Sequence, residues 1–295
     1  MNVYAIVCHK VNNALIHTVN SLSISDDSII IIHFDKKFYD KLTKQFHQAI
    51  ELKSNIFLLD KDLCISVEWG TFSQVAATLN LMRFSSSFNY LYFSLISGDD
   101  IPLFNSDKLN FILNDNFSRG YEFIGLANDN NAKERIVIDY TRMFYVRNPS
   151  IHLRVFKKFI YLFKIRFMRK DISVLPDLYK GTNWFTLSKE VIDYFINYID
   201  SKDYIKHFEN SFCPDEFFFH TIFFNSEFKS RVKFTSGENY MCARYIDWTS
   251  GPEYPKILKY HDFAKIKKQS SNGDFFFCRK IDDSISLDDL NYFIG

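Results

Sequence analysis

No run of about 18 or more consecutive apolar residues occurs in the 295-residue sequence, so no membrane-spanning helix is expected. Charge of one sign is also missing. Lys and Arg number 36 and Asp and Glu 35, giving a net charge of +1 and no global field to attract nucleic acid. The five cysteines (Cys8, Cys64, Cys213, Cys242 and Cys278) are odd in number and never spaced as CxxC. This speaks against a disulfide framework or a zinc site and for reduced, buried thiols in a cytosolic protein. The first residues carry no basic stretch ahead of a long apolar run, so no signal peptide is expected. A G-x-G-x-x-G fingerprint, a P-loop, a G-x-S-x-G elbow and a His pair at zinc-helix spacing are all absent. There is no Pro/Gly/Ser-rich linker, repeat or low-complexity tract. One domain spanning 1–295 is the simplest organisation, with a nucleotide-binding half near 1–115 and an acceptor-binding, catalytic half near 116–295.

What is present is apolar and aromatic. Hydrophobic residues make up 47% of the chain, enough for a large core, and 33 Phe and 17 Tyr raise the aromatic share to 18%. The order of elements is regular through the first hundred residues. Strands are predicted at Val3–Cys8, Ser28–Phe34, Ile56–Leu59 and Tyr90–Ile96, alternating with helices at Asn12–Leu22, Tyr39–Leu52 and Ser73–Met82. The run Ile29-Ile30-Ile31-Ile32 suits a central parallel strand covered on both faces. Alternation of this kind implies an α/β fold with a Rossmann-like, mostly parallel sheet flanked by helices. In the second half, helices are expected at Arg154–Lys170, Lys189–Ile199 and Pro214–Phe224, and a strand at Trp184–Leu187. Ligands in such sheets bind beyond the carboxyl ends of the strands. His9-Lys10, Asp35 and Asp99-Asp100 all fall there.

Four segments can carry chemistry. Asp35 in His33-Phe34-Asp35 can accept hydrogen bonds from a ribose or base, or can cap the helix that follows. In Glu68-Trp69-Gly70, the glycine allows a tight turn and Ser73 a cap. Asp99 and Asp100 end an apolar strand where hard-oxygen ligands could hold a divalent ion, though they are adjacent rather than spaced as Asp-x-Asp. They could instead fix their loop by bonding backbone amides. In Pro214-Asp215-Glu216, proline followed by acids is an ordinary helix start, and a glutamate kept ionised there would suit a general base.

The ordered set of these segments resembles the core-2/I-branching N-acetylglucosaminyltransferase and peptide O-xylosyltransferase family, glycosyltransferase family 14. Gly181-Thr182-Asn183-Trp184, Tyr245-Ile246-Asp247-Trp248, Pro255-Lys256 and Cys278-Arg279-Lys280-Ile281-Asp282 extend the likeness nearly end to end. With neither a membrane anchor nor a disulfide-rich domain expected, the chain resembles the shorter bacterial-type members. The resemblance implies a GT-A-like fold, an inverting reaction and no divalent metal. It implies Glu216 as catalytic base and Asp35 as a uridine ligand. Lys280 would meet the diphosphate together with a second cation, Lys256, with Lys259 and Arg279 as rivals. His9 and Asp100 would lie beside the UDP-sugar. Trp184, Trp248 and Asp215 would shape the acceptor side, although either Trp could belong to the core.

Between Arg154 and Lys170, seven basic residues interleave with Phe156, Phe159, Phe163, Phe167 and other apolar residues, and no acid interrupts them. Such a helix packs on the core with a solvated basic face, or lies on an anionic membrane surface. The expected activity is transfer of a sugar, GlcNAc or xylose first, from UDP to a glycan or lipid-linked glycan during surface polysaccharide synthesis, in the cytoplasm or at the inner membrane face. Two other readings are a metal-dependent transferase using Asp99 and Asp100, and a non-catalytic glycan-binding protein.

Overall fold

A computed structural model describes residues 1–127, 132–146, 148–233, 242–271 and 273–294. Its first strands are β1 (Asn2–Cys8), β2 (Ser28–Phe34), β3 (Ile56–Leu58) and β4 (Tyr92–Ser97). The helices α1 (Asn13–Leu22), α2 (Tyr39–Ala49) and α3 (Ser73–Ser85) alternate with them. These four strands are parallel, with β1 between β2 and β4 and β3 outside β2. The continuous apolar runs follow from this position. Along β2, Ile30 and Ile32 enter one core cluster and Ile29 and Ile31 the other, so each residue of the run is buried on one face or the other. Val3 and Ala5 against Tyr4 and Ile6 divide in the same way along β1.

The second half closes the sheet. Strand β7 (Phe185–Ser188) pairs antiparallel with β4, and β6 (Phe123–Ile124) pairs antiparallel with β7, completing the order β3-β2-β1-β4-β7-β6. The sheet is therefore mostly parallel, as expected, with two antiparallel additions at one edge. A smaller sheet joins β5 (Ile101–Pro102), β9 (Phe277–Arg279) and β8 (Arg244–Ile246) in the order β5-β9-β8. Its Phe277 meets Tyr4 edge to face at 6.2 Å, so the chain's end packs on its first strand. The helices α4 (Ser106–Ser118), α5 (Ile151–Phe167), α6 (Lys189–Ser201), α7 (Phe218–Phe224), α8 (Phe263–Ser270) and α9 (Leu287–Ile294) complete the assignment.

Two expectations shift in detail. The helix expected from Pro214 begins instead as one 3-10 turn, Pro214–Glu216, before α7. Cys213 ahead of it has φ 49°, so the chain turns sharply into Pro214 rather than entering a regular helix. The segment expected to be helical from Arg154 begins at Ile151, capped by Ser150, and none of its side chains is buried.

Candidate active site

The parallel strands reverse order at β1, which leads outward to β2 and β3 on one side and meets β4 on the other. A crevice opens at such a switch point, beyond the carboxyl ends. Gly98 closes the end of β4 onto β1, donating to the Val7 carbonyl at 3.1 Å. A Cβ on Gly98 would lie 2.7 Å from the Cys8 Cβ, so only glycine permits this approach.

A group of opposite charges occupies the crevice. Asp99 is ion-paired with Lys10 at 3.0 Å and with Lys280 at 3.2 Å, and accepts a hydrogen bond from Asn12 at 3.1 Å. Burial would raise the Asp99 carboxyl, but Lys280 and Lys10 outweigh it and hold the group below the usual carboxylate range. Lys10 also pairs with the more exposed Asp283 at 2.6 Å. Asp100 is fully buried and accepts from the Ser97 amide at 2.9 Å and the Ser97 hydroxyl at 2.8 Å, fixing its own loop. Arg279 lies 3.5 Å from Asp100, and its guanidinium stands 4.1 Å from the centre of the Trp184 ring. Lys280 is tied to this loop through its successor, whose amide donates to the Asp99 carbonyl at 2.9 Å.

Glu216 lies on a second wall. It is half-buried, 2.8 Å from Arg135 and 3.6 Å from Lys180. Arg135 is held in turn by the Phe212 carbonyl at 3.1 Å and by the face of Phe217. Asp215 beside it is buried. Gln74 donates to Asp215 at 3.3 Å while its own amide oxygen accepts from the Gly70 amide at 2.6 Å. Cys213 donates to the Gly70 carbonyl at 2.7 Å. The Glu68-Trp69-Gly70 and Pro214-Asp215-Glu216 segments are thereby joined. Burial, then the neighbouring Glu216 charge, pushes the Asp215 carboxyl up to about 7.

The two walls are connected by one short segment. The Gly181 amide donates to the Glu216 carbonyl at 2.9 Å, and Trp184 stacks on Arg279 three residues later. Three residues span at most about 11 Å. The backbone of the base candidate and the tryptophan that stacks on Arg279 are therefore joined by one short stretch of chain. Gly181 is packed so tightly that a Cβ would lie 2.2 Å from His220 Nε2 and 2.3 Å from the Gly125 carbonyl.

The remaining expected residues lie around this centre. His9 is exposed just past β1, and Asp35 is buried past β2, where its carboxylate accepts from the Lys37 amide at 2.9 Å and caps a 3-10 turn. His33 Nε2 accepts from the Ile65 amide at 2.8 Å, and burial lowers the ring's pKa to about 4, keeping it neutral. Lys256 pairs with Asp262 at 2.6 Å. Lys256 and Lys259 both line a cleft of about 360 Å³ together with His261 and Asp282, whereas Arg279 faces Trp184. Trp248 is partly exposed beside Asp247, whose carboxylate accepts from the Thr249 and Ser250 amides; these outweigh burial and lower its pKa to about 2. Arg135, Lys180 and Gln74 were not foreseen. Nothing local distinguishes them, and only folding brings them to Asp215 and Glu216.

The sequence model of the Core-2/I-branching enzyme family matches residues 3–269, a span that ends before Arg279 and Lys280. Among curated proteins, a zebrafish (Danio rerio) beta-1,3-galactosyl-O-glycosyl-glycoprotein beta-1,6-N-acetylglucosaminyltransferase 4 is 24% identical over 73% of this chain and 48% of its own length. The beta-glucuronosyltransferase GlcAT14A of Arabidopsis thaliana is 23% identical over 83% of this chain and 53% of its own. The chain thus spans about half the length of these relatives. Among solved structures, mouse xyloside xylosyltransferase 1 in its apo form aligns with 80% of this chain and 85% of its own, at 12% identity and a TM-score of 0.36.

Proposed function

The chain belongs to the Core-2/I-branching enzyme family of glycosyltransferases, and on that premise we propose that it moves a sugar from a UDP-sugar to a hydroxyl of a glycan acceptor, inverting the anomeric carbon without a divalent metal. The observation that carries the reading is Glu216, a partly exposed carboxylate fixed by Arg135 and Lys180. Attack by a hydroxyl requires its proton to leave as the new bond forms. A carboxylate positioned at the acceptor hydroxyl accepts that proton, typically for about 10²- to 10⁴-fold in rate.

The leaving UDP gathers charge on its diphosphate. Lys280, with Arg279 or Lys256 as second cation, would meet it, and Lys10 stands ready on the other side of Asp99. Fixed cations aimed at developing charge do the electrostatic work of a metal ion. That the Asp99 carboxylate is already paired with two lysines and Asp100 is engaged by Ser97 favours this arrangement over one in which these acids ligate a metal. Asp35 and His9 would border the uridine, and Trp184, Trp248 and Asp215 the acceptor. The relatives' names point to N-acetylglucosamine and glucuronate as donors to try beside xylose. Five free, buried cysteines fit action in a reducing compartment; surface polysaccharide synthesis is the setting we propose.

The test is UDP release from UDP-GlcNAc, UDP-glucuronate and UDP-xylose in EDTA, with candidate acceptors, comparing the wild type with Glu216→Gln. Release with one donor, lost in the variant, is expected. Activity that returns only with Mn²⁺ would make Asp99 and Asp100 metal ligands and overturn the metal-free reading. Undiminished release by Glu216→Gln would remove Glu216 as base.

A further inference from the structure

Helix α5 carries its apolar stripe on the wrong side for a helix that packs on a core. Ile151, Val155, Phe159, Phe163 and Phe167 follow one another at intervals of four, the spacing of a single helix face. They are 76%, 65%, 67%, 48% and 69% exposed. Leu162 widens the stripe at 54% exposed. At roughly 150–200 Å² per side chain, on the order of 600 Å² of apolar surface faces outward, at the top of what a monomer usually exposes.

The opposite face holds the helix to the protein with polar groups. Lys157 donates to the Val146 carbonyl at 3.1 Å, Lys164 to the Asp139 carbonyl at 2.5 Å, and the Tyr161 hydroxyl to the Glu134 carboxylate. Ile165 joins the small cluster of Val137, Ile138 and Tyr140. The anchoring face is thus fixed, and the outward face is not a product of a loosely placed helix. Arg154, Lys158, Arg166 and Arg169 are exposed around the stripe, and no acid occurs from 151 to 170.

We propose that this face of α5 docks the protein on an anionic lipid surface, the helix lying in the headgroup plane with the Phe stripe inserted and the arginines on phosphate. An amphipathic helix with basic flanks binds such a surface through apolar burial and charge together. At 17 residues α5 is about 25 Å long, and no described helix is long and apolar enough to cross the membrane. Charge argues against a second copy as occupant. Two such faces would bring basic rims together with no acid on either helix to pair them, and the area falls short of the roughly 800 Å² per partner of a stable interface. This surface goes beyond the transferase reading. The position is consistent with a lipid-linked acceptor, because Glu134, which anchors Tyr161, adjoins Arg135, which holds Glu216.

The experiment is flotation of the full chain with phosphatidylcholine vesicles, with and without about a third phosphatidylglycerol, alongside light scattering for oligomeric state. Flotation only with the anionic vesicles is expected. It should fall about tenfold in Phe159→Glu/Phe163→Glu and in Arg166→Glu/Arg169→Glu, and again when salt rises from about 0.1 to about 1 M, which shortens the Debye length from about 10 to about 3 Å. Near-UV circular dichroism identical to wild type establishes that the variants are folded. No flotation, or flotation unchanged in both variants, overturns the proposal. A dimer that Phe159→Glu/Phe163→Glu converts to monomer, without vesicle binding, assigns the face to a second copy instead. Flotation is read without donor or acceptor, so Glu216→Gln should float as wild type does even where the transferase reading fails.

Discussion

Arg135 and Glu216 stand 2.8 Å apart across eighty-one residues of sequence, the guanidinium between the rings of Phe212 and Phe217. A carboxylate held this way cannot swing out of line, so under the proposed reaction the arginine would position Glu216 rather than react itself. Arg135→Ala should lower kcat by about tenfold to a hundredfold with little change in donor KM, and Arg135→Lys should recover part of it. Steady-state kinetics on the three proteins decides it. A loss confined to KM would mean that Arg135 serves substrate binding instead.

Lys280 pairs with Asp99 in the crevice at the β1–β4 switch point. Lys280→Ala should cost about a hundredfold in transfer, since one preorganised charge on a leaving group is worth that order. The variant should remain folded, with some loss of thermal stability, because the buried Asp99 keeps Lys10 as its remaining partner. Added Mn²⁺ restoring the variant above the wild-type rate would contradict the role.

Two buried acids give the protein opposite pH dependences. Asp215 has its folded pKa raised to about 7, so between the unfolded value and that point the folded state binds more protons, and stability falls as pH rises from about 4 to about 7. Asp99 is depressed, so its contribution is present above the unfolded value and is lost as pH falls below about 4. Urea unfolding across this range should find that Asp215→Asn flattens the decline toward neutrality. Glu122, raised to about 7 by burial despite accepting from Ser188, should preserve part of the slope in that variant. An unchanged slope in Asp215→Asn would place the titration elsewhere.

Gly181 sits between His220 and the Gly125 carbonyl while donating to the Glu216 carbonyl. Gly181→Ala should destabilise by about 3 kcal/mol, since a backbone carbonyl cannot move as a flexible side chain can. His220→Ala in the same chain should return only part of this, because the carbonyl remains. Calorimetry on the single and double variants tests it, and full recovery would assign the strain to the imidazole alone.

How far the sequence foretold this arrangement depended on how local the signal was. The strands β1 and β2 were legible because burial on both faces leaves a continuous apolar run, and β4 because only Ser94 interrupts its own. The helix α1 was legible because Asn12 caps it and its side chain accepts from Leu15. The strands β5 and β6 are two residues long, too short for any periodicity, and α4 was passed over although Asn105 caps it and Leu109 and Leu113 line its buried face. That β7 runs antiparallel is set by the path of the chain, not by composition. At the site, Glu216, Asp99 and Lys280 stood in recognisable segments. Arg135 and Lys180 stood in none, since a positioning cation is defined by what it reaches and not by its neighbours in sequence. The outward stripe of α5 reads in sequence like any packed amphipathic face, because periodicity gives the face and not which side of it meets the protein.

The pairing of Lys10 with Asp283 across 273 residues, beside that of Lys280 with Asp99, has a consequence in time as well as in space. A chain emerging from the ribosome can form β1, β2 and β4 early, from residues close in sequence. Its crevice then holds Asp99 and Lys10 but lacks the lysine that completes the charge pattern. Only when β9 has been synthesised and paired with β5 does Lys280 arrive. A nascent or truncated chain can therefore have β1, β2 and β4 in place while Asp99 still lacks one of its two lysine partners, and the charge pattern beyond these strands is completed last.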